Sequence, residues 1–124
     1  MSKKQVTASY RVGKERIELG VTVLVWEEDG LFYAMSPALD ITGYGKTEQE
    51  AKDSFEVMLD EFVVYTHRKK TIFQELENLG WMVNRKKKRV VPPDILDLIQ
   101  ENEAVRDVVN RDFKKYDRTL ELAL

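Results

Sequence analysis

The sequence predicts an α+β fold: an antiparallel sheet of three to four strands with one packed helix, followed by an α-helical C-terminal extension. Alternating apolar positions within residues 5–46 indicate strands. Apolar positions three and four apart within residues 47–68 indicate the helix, and a second helical stripe follows two prolines. We therefore expect an α+β domain over residues 1–91 and a helical extension over residues 92–124.

The composition is that of one globular domain, and it excludes several classes of protein. The chain has 124 residues, of which 43% are hydrophobic and 34% charged, with a net charge of −2. The absence of cysteine excludes disulfides and thiolate zinc sites. No apolar run approaches the ~20 residues of a membrane span, and the first residues do not resemble a signal peptide. We expect a cytoplasmic protein that uses no cofactor.

Four segments of the N-terminal half have the pattern of strands. Residues 5–12 alternate between apolar and polar, and a longer strand runs from Ile17 to Val25. Asp29-Gly30 tolerates the positive φ angles of a tight hairpin turn, so residues 31–36 form the returning strand. Residues 41–46 form a further strand that contains two glycines, which we interpret as strand irregularities.

The main helix is predicted to run from Thr47 to Arg68. Thr47 and Glu50 form a capping box, in which each side chain bonds the backbone N–H of the other residue. The apolar face that packs on the sheet consists of Ala51, Phe55, Met58, Leu59, Phe62 and Thr66. The segment from Phe62 to Tyr65 is apolar almost all round, so we expect either a second helix or another subunit to cover it.

Shorter elements are predicted after the main helix. Thr71 and Gln74 form a second capping box, which opens a helix that stops at Gly80. Residues 81–83 have the composition of a short strand.

The C-terminal extension is predicted to be helical because its apolar residues recur at helical spacing after Pro93, a residue that suits the first turn of a helix. The stripe contains Ile95, Leu98, Ile99, Val105, Val108, Val109, Phe113, Tyr116 and Leu120. It fits one long helix or two short ones.

No residue pattern indicates an enzyme. His67 is the one histidine, and no motif supplies the orienting carboxylate and nucleophile that a catalytic histidine needs. The carboxylates of Glu27, Glu28, Asp29 and Asp40 fall in turns, and we interpret them as solvated residues rather than as ligands of two metal ions. We expect no catalytic residue, no metal site and no cofactor site.

One run of basic residues is a candidate contact for nucleic acid: Arg85, Lys86, Lys87, Lys88 and Arg89. Such a run could bind phosphates, although it gives no sequence specificity. The alternative is a solvated loop or an edge strand, where lysines discourage pairing with other chains.

The chain has more large apolar residues than a small monomer can readily bury. Eight of them form the candidate partner or oligomer interface: Trp26, Phe62, Val63, Tyr65, Trp81, Val109, Phe113 and Tyr116. Aromatic residues are common anchors of interfaces. The alternative for each residue is an ordinary place in the core. Taken together, they favour a homo-oligomer or a surface for another protein.

The order and spacing of three motifs resemble the HicB-like antitoxin family. The first motif is the hairpin from Val21 to Ala34, with its acidic-glycine turn, and the second is Pro37-x-Leu39. The third is Gly45–Ala51, which reads G-x-T-x-x-E-A and opens the main helix. The resemblance covers roughly residues 21–66.

This resemblance implies a reduced ribonuclease-H-like fold that has no nuclease activity. Members of the family bind and block a small HicA-like toxin that cleaves RNA, and many also repress their own operon through a DNA-binding module. We therefore expect a non-enzymatic antitoxin that binds such a toxin, forms a homo-oligomer and is a candidate for autoregulatory DNA binding.

The chain also departs from the family pattern. It has an additional strand region over residues 5–19, and residues 92–124 carry no obvious helix-turn-helix signature. Without the resemblance, the residues indicate only an α+β interaction domain. A stand-alone homo-oligomeric module of unknown ligand is therefore the alternative function.

Overall fold

The computed structural model describes residues 16–123, and the predicted strand at residues 5–12 lies outside this range. Six strands and four helices are formed within it: β1 (Arg16–Glu28), β2 (Leu31–Ser36), β3 (Ile41–Gly45), α1 (Glu48–Lys69), α2 (Ile72–Asn78), β4 (Met82–Asn84), β5 (Arg89–Val91), α3 (Ile95–Glu101), α4 (Glu103–Val109) and β6 (Lys114–Ala123). The predicted strands at residues 17–25, 31–36 and 41–46 and the main helix are all confirmed.

The main sheet has four strands in the order β3-β2-β1-β6, and all neighbours are antiparallel. The hairpin between β1 and β2 turns at Asp29 and Gly30, with φ angles of 54° and 84°. Two successive positive φ angles match the twist of the flanking strands, and an Asp-Gly pair adopts these angles at low energetic cost. The α+β class with an antiparallel sheet of up to four strands is therefore confirmed.

The fourth strand of the sheet comes from the C-terminal region, where the prediction of a helix is wrong. β6 pairs with β1 over ten residues, from Lys114 opposite Val25 to Ala123 opposite Arg16. Tyr116 and Leu120 are four residues apart, a spacing that suits a helix and equally suits one face of a strand. As a strand, β6 satisfies the backbone hydrogen-bonding groups along one edge of β1. This long-range pairing favours strand periodicity over helical periodicity.

Each face of the sheet carries its own hydrophobic cluster. On one face, α1 and α2 cover the buried side chains of Ile17, Leu19, Val21, Val23 and Val25 of β1. On the other face, α4 covers Leu24, Trp26 and Met35 with Val105 and Val108. Alternate residues of β1 therefore belong to two separate layers, because successive side chains of a strand point to opposite faces.

The two predicted capping boxes differ in the structure. The Thr47 hydroxyl accepts a bond from Glu50 N at 3.1 Å, as predicted. The Glu50 carboxylate accepts from Lys46 N at 2.9 Å, rather than from Thr47 N. The second box is not formed, because Thr71 makes no side-chain cap bond and Gln74 Nε2 instead donates to Asn78 Oδ1 at 3.0 Å.

Two short helices, rather than one long helix, follow the prolines. Asp94 caps α3 by accepting from Leu96 N at 2.9 Å. Asn102 ends α3 and caps α4, accepting from Val105 N at 3.2 Å with a backbone in the extended region. This extended residue breaks the helix and turns α4 onto the sheet. Within residues 16–123, no helix is both long and apolar enough to cross a membrane.

Candidate partner-binding surface

The solvent side of α1 is a candidate surface for a partner. Thr47 fixes the start of the helix, and Phe55 and Leu59 face the core with at most 1% of their surface exposed. Val57 and Val64 are seven residues apart on the opposite side, with 57% and 48% of their surface exposed. Two turns of helix bring positions seven apart onto one face, so the two valines form a single apolar line.

Two further apolar side chains widen this line. Met58 and Tyr65 are 42% and 53% exposed, and they also lie seven residues apart. A shallow groove of about 490 Å³ runs along the same side between Val57 and Lys69. We call the four residues Val57, Met58, Val64 and Tyr65, with the charged residues between them, the α1 outer face. Exposed apolar residues grouped in this way are typical of interaction sites.

Charge is distributed unevenly along α1. All of its acidic residues lie in the first two thirds of the helix: Glu48, Glu50, Asp53, Glu56, Asp60 and Glu61. Its last turn is basic, with His67, Arg68 and Lys69. This order suits the helix dipole, which favours anions near the N-terminus and cations near the C-terminus. The first part of the α1 outer face is therefore an apolar line bordered by carboxylates, an arrangement that suits a positively charged partner.

Ion pairs hold α1 to the edge strand β6. Arg118 binds Glu56 with two nitrogens, Nε to Oε2 at 3.0 Å and Nη2 to Oε1 at 2.9 Å. The Glu56 carboxylate raises the pKa of the Arg118 guanidinium above its ordinary value, so Arg118 stays charged at any ordinary pH. The helix therefore has a defined position over this part of the sheet.

A second set of contacts lies at the start of α1. Glu48 bonds Lys52 at 3.0 Å and Lys114 at 3.1 Å, and these two ammonium groups hold the pKa of the Glu48 carboxyl below its usual value. Lys52 also lies over the ring of Tyr116, 5.2 Å from the ring centroid. Burial raises the pKa of the Tyr116 hydroxyl, so this side chain is neutral at physiological pH.

A mostly apolar cavity of about 530 Å³ lies between the end of α1, α2 and the end of β6. Its lining consists of Val63, Thr66, His67, Lys70, Ile72, Phe73, Glu121 and Leu122. The Thr66 hydroxyl is not available to a ligand there, because it bonds the backbone oxygens of Phe62 and Val63 at 2.9 and 3.2 Å.

The predicted basic run lies in the turn of the β4–β5 hairpin and on β5. Lys86 and Lys87 are exposed in this turn, whereas Lys88 is half-buried with a φ angle of 54°. Arg85 is engaged within the chain, where it bonds Glu77 and lies over the ring of Phe73. A phosphate contact at this run stays a prediction, and its exposed part is smaller than five residues.

Both tryptophans of the predicted interface are core residues, which is a correction of the sequence-based interpretation. Trp81 is 4% exposed, and its indole N–H donates to Ala38 O at 2.8 Å. Trp26 is 9% exposed and stacks on Tyr33 at a centroid distance of 5.2 Å. Each tryptophan is covered by its own chain, so neither of them anchors a partner in this conformation.

The other predicted interface residues are divided between core and surface. Phe62, Val63 and Tyr116 are half-buried against the cluster under α1, and Val109 against the cluster under α4. Tyr65 and Phe113 remain exposed, at 53% and 38%. Phe62 and Val63 therefore belong mainly to the core, although the sequence placed them with Tyr65 in a single apolar turn.

The prediction that Met58 packs on the sheet is wrong, since this side chain is 42% exposed. The sequence-based interpretation also missed five exposed apolar residues: Val57, Met82, Val91, Ile95 and Leu96. Val57 and Val64 could have been found by projecting α1 onto a helical wheel, because they lie opposite Phe55 and Leu59. Met82 and Val91 could not, because they share one face of the hairpin only through the β4–β5 register.

The described part of the chain, residues 16–123, contains no group of three or more histidine or carboxylate residues arranged to hold a metal ion. Comparison with protein-family models, with curated protein sequences and with solved structures finds no match to this chain.

Proposed function

We propose that this chain is a non-enzymatic, HicB-like antitoxin that acts in the cytoplasm, where it binds and neutralises a small HicA-like toxin that cleaves RNA. The motifs that resemble the family fall on consecutive elements, from the β1–β2 hairpin through β3 to the cap of α1. The observation that carries the proposal is the series of acidic residues from Glu48 to Glu61 on α1, beside exposed Val57.

This surface chemistry fits the proposed partner. A protein that cleaves RNA must bind a polyanion, and its RNA-binding surface is therefore positively charged. An acidic face on the antitoxin can cover that surface and compete with RNA for the same lysines and arginines. The exposed apolar side chains of Val57 and Met58 would supply the desolvated centre that a stable interface needs.

Affinity purification of the tagged full chain from its native cells, with mass spectrometry, tests the proposal. We expect a small basic protein in stoichiometric amount. Replacing Asp53→Lys and Glu61→Lys together should reduce its recovery about tenfold, because the change places like charges against the partner. The matched control is Asp97→Lys with Glu101→Lys on α3, which makes the same change in charge on another exposed helix.

Two results would contradict the proposal. Recovery of only the tagged chain and its own copies, under conditions that preserve tight complexes, would favour the alternative of a stand-alone homo-oligomeric module. Equal loss of the basic protein in the α1 variant and in the α3 control would remove the α1 outer face from the proposal, since net charge alone would then explain the effect.

A further inference from the structure

Strand β6 forms the longer of the two open edges of the main sheet within residues 16–123. Its inner edge pairs with β1 over all ten residues, whereas among residues 16–123 no strand pairs with its outer edge. The opposite edge of the sheet is formed by β3, which has only five residues. A long exposed edge is a ready template for another strand, because each outward N–H and C=O needs a partner.

β6 lacks two of the features that protect an edge from pairing, a proline and a β-bulge. Its sequence contains no proline, and its one-to-one register with β1 leaves no bulge along the ten residues. The charges on its exposed face do not share one sign, since Lys115 is positive whereas Asp117 and Glu121 are negative. Lysines on a protected edge repel a second copy, whereas the two lysines of this strand are accompanied by the carboxylates of Asp117 and Glu121.

We propose that β6 pairs antiparallel with β6 of a second copy of this chain, about a two-fold axis at Arg118. The two four-stranded sheets then form one sheet of eight strands. In this register Lys115 lies opposite Glu121 of the second copy, and Asp117 lies opposite Thr119. The symmetry forms the Lys115–Glu121 pair twice, once on each side of the axis.

Geometry limits the registers that β6 can adopt with itself. Opposite residues in an antiparallel pair lie on the same face, so the axis must pass through a residue and not between two residues. Only axes at Arg118 and Thr119 pair nine of the ten residues of Lys114–Ala123. The axis at Thr119 places Asp117 against Glu121, and repulsion between like charges disfavours it.

The other face of β6 is also compatible with this register. Tyr116 lies opposite Leu120 of the second copy, and both side chains are half-buried within one chain, which leaves apolar surface to be covered. The two Arg118 side chains meet near the axis. Each of them is already bonded to Glu56 and lies in the field of Asp60, so their positive charges are offset.

The dimer does not depend on the proposed toxin. The α1 outer face points away from the sheet, and β6 lies at the edge of the sheet, so the two surfaces are separate. Their tests are independent as well. A chain that captures a toxin as a monomer would support the proposed function and overturn the β6 pairing. A chain that forms the β6 dimer but captures no toxin would support the pairing and contradict the proposed function.

Sedimentation equilibrium of the full chain, purified alone, tests the pairing. We expect a dimer at micromolar concentration. Lys115→Glu creates two pairs of like charges across the axis and should raise the dimer dissociation constant about tenfold. Glu121→Lys alone should have a similar effect. The double variant Lys115→Glu with Glu121→Lys restores both pairs with reversed signs and should recover the dimer.

The variants are chosen so that the fold is not disturbed. Lys115 and Glu121 are exposed, and Glu121→Lys places a positive charge opposite Glu18 of β1. Lys86→Glu in the β4–β5 turn is the matched control, because it makes the same change in charge away from β6, and it should leave the dissociation constant unchanged.

Three results would overturn the pairing. The first is a monomeric wild-type chain, and the second is a dimer that Lys115→Glu does not weaken. The third is failure of the double variant to recover the dimer. If the chain is monomeric and hydrogen exchange nevertheless protects the outward amides of β6, another part of the same chain covers the edge, and the second copy is excluded.

Discussion

At the scale of single residues, the close packing of β3 against α1 explains why position 43 is a glycine. The sequence indicated only a strand irregularity at this glycine. In the structure, a Cβ atom at this position would contact the backbone N of Phe55 and would lie 2.7 Å from its Cα. β3 and α1 therefore approach each other more closely here than any residue with a side chain allows. Gly45 has the same role against Glu50 and Ala51, which lie one turn earlier in α1 than Phe55.

Replacing Gly43→Ala should lower the free energy of unfolding by about 3 kcal/mol, since α1 would have to move away from β3. Gly20→Ala in β1 is the matched control, because a Cβ atom there meets nothing within 4 Å. We expect the control to change stability by less than about 0.5 kcal/mol. Urea denaturation of both variants measures the difference, and equal stabilities would contradict the packing role of Gly43.

At the scale of elements, the two Thr-x-x-Glu/Gln sequences differ because of their surroundings. Thr47 has an extended backbone, with φ −130° and ψ 162°, which aims its hydroxyl at the free N–H groups of α1. Thr71 has a ψ of 15°, and its buried hydroxyl has no hydrogen-bond partner. The motif predicts a cap only where the preceding chain enters the helix in an extended conformation.

Thr47→Ala should therefore lower the free energy of unfolding by about 1 kcal/mol, which is typical for the loss of an N-cap. Thr71→Ala should be neutral or stabilising, because it removes a buried polar group that makes no bond. Thermal and urea unfolding of the two variants provide the comparison. A loss at Thr71 as large as that at Thr47 would show that the second cap forms in solution.

At the scale of the whole molecule, β6 makes the C-terminal segment part of the sheet. It pairs with β1 throughout, and Leu122 of β6 is buried in the cluster under α1. A C-terminal helical extension could be removed without unfolding the domain. Removal of a strand instead exposes the backbone of β1 and one side of the hydrophobic cluster.

A chain that ends at Asn110 should consequently lose cooperative unfolding and the near-ultraviolet circular dichroism of its packed tryptophans. Adding a synthetic peptide of residues 111–124 should restore both signals, because the peptide can pair with β1 in the register of β6. The full chain is the reference for both measurements. Intact cooperative unfolding of the shortened chain would contradict a structural role for β6.

Local signals account for the elements that were predicted correctly. The hairpin follows from Asp29-Gly30, and α1 follows from the Thr47 cap together with its apolar face. The α1 outer face was only partly predicted, since Tyr65 was identified and Val57 was not. Trp26 and Trp81 were misassigned because the identity of an aromatic residue does not reveal which neighbours cover it.

The α+β class, three strands of the sheet, the main helix and its N-terminal cap could all be predicted from the amino-acid sequence. These features depend on periodicity and on contacts between residues close together in the chain. Three features became evident only from the folded chain: Lys114–Ala123 is a strand, Gly43 is a packing contact, and both tryptophans are buried. The physical reason is that each of these depends on partners far away in the sequence. In β6, the spacing of Tyr116 and Leu120 fits helical and strand periodicity equally well. Pairing with the edge of β1 makes the segment a strand.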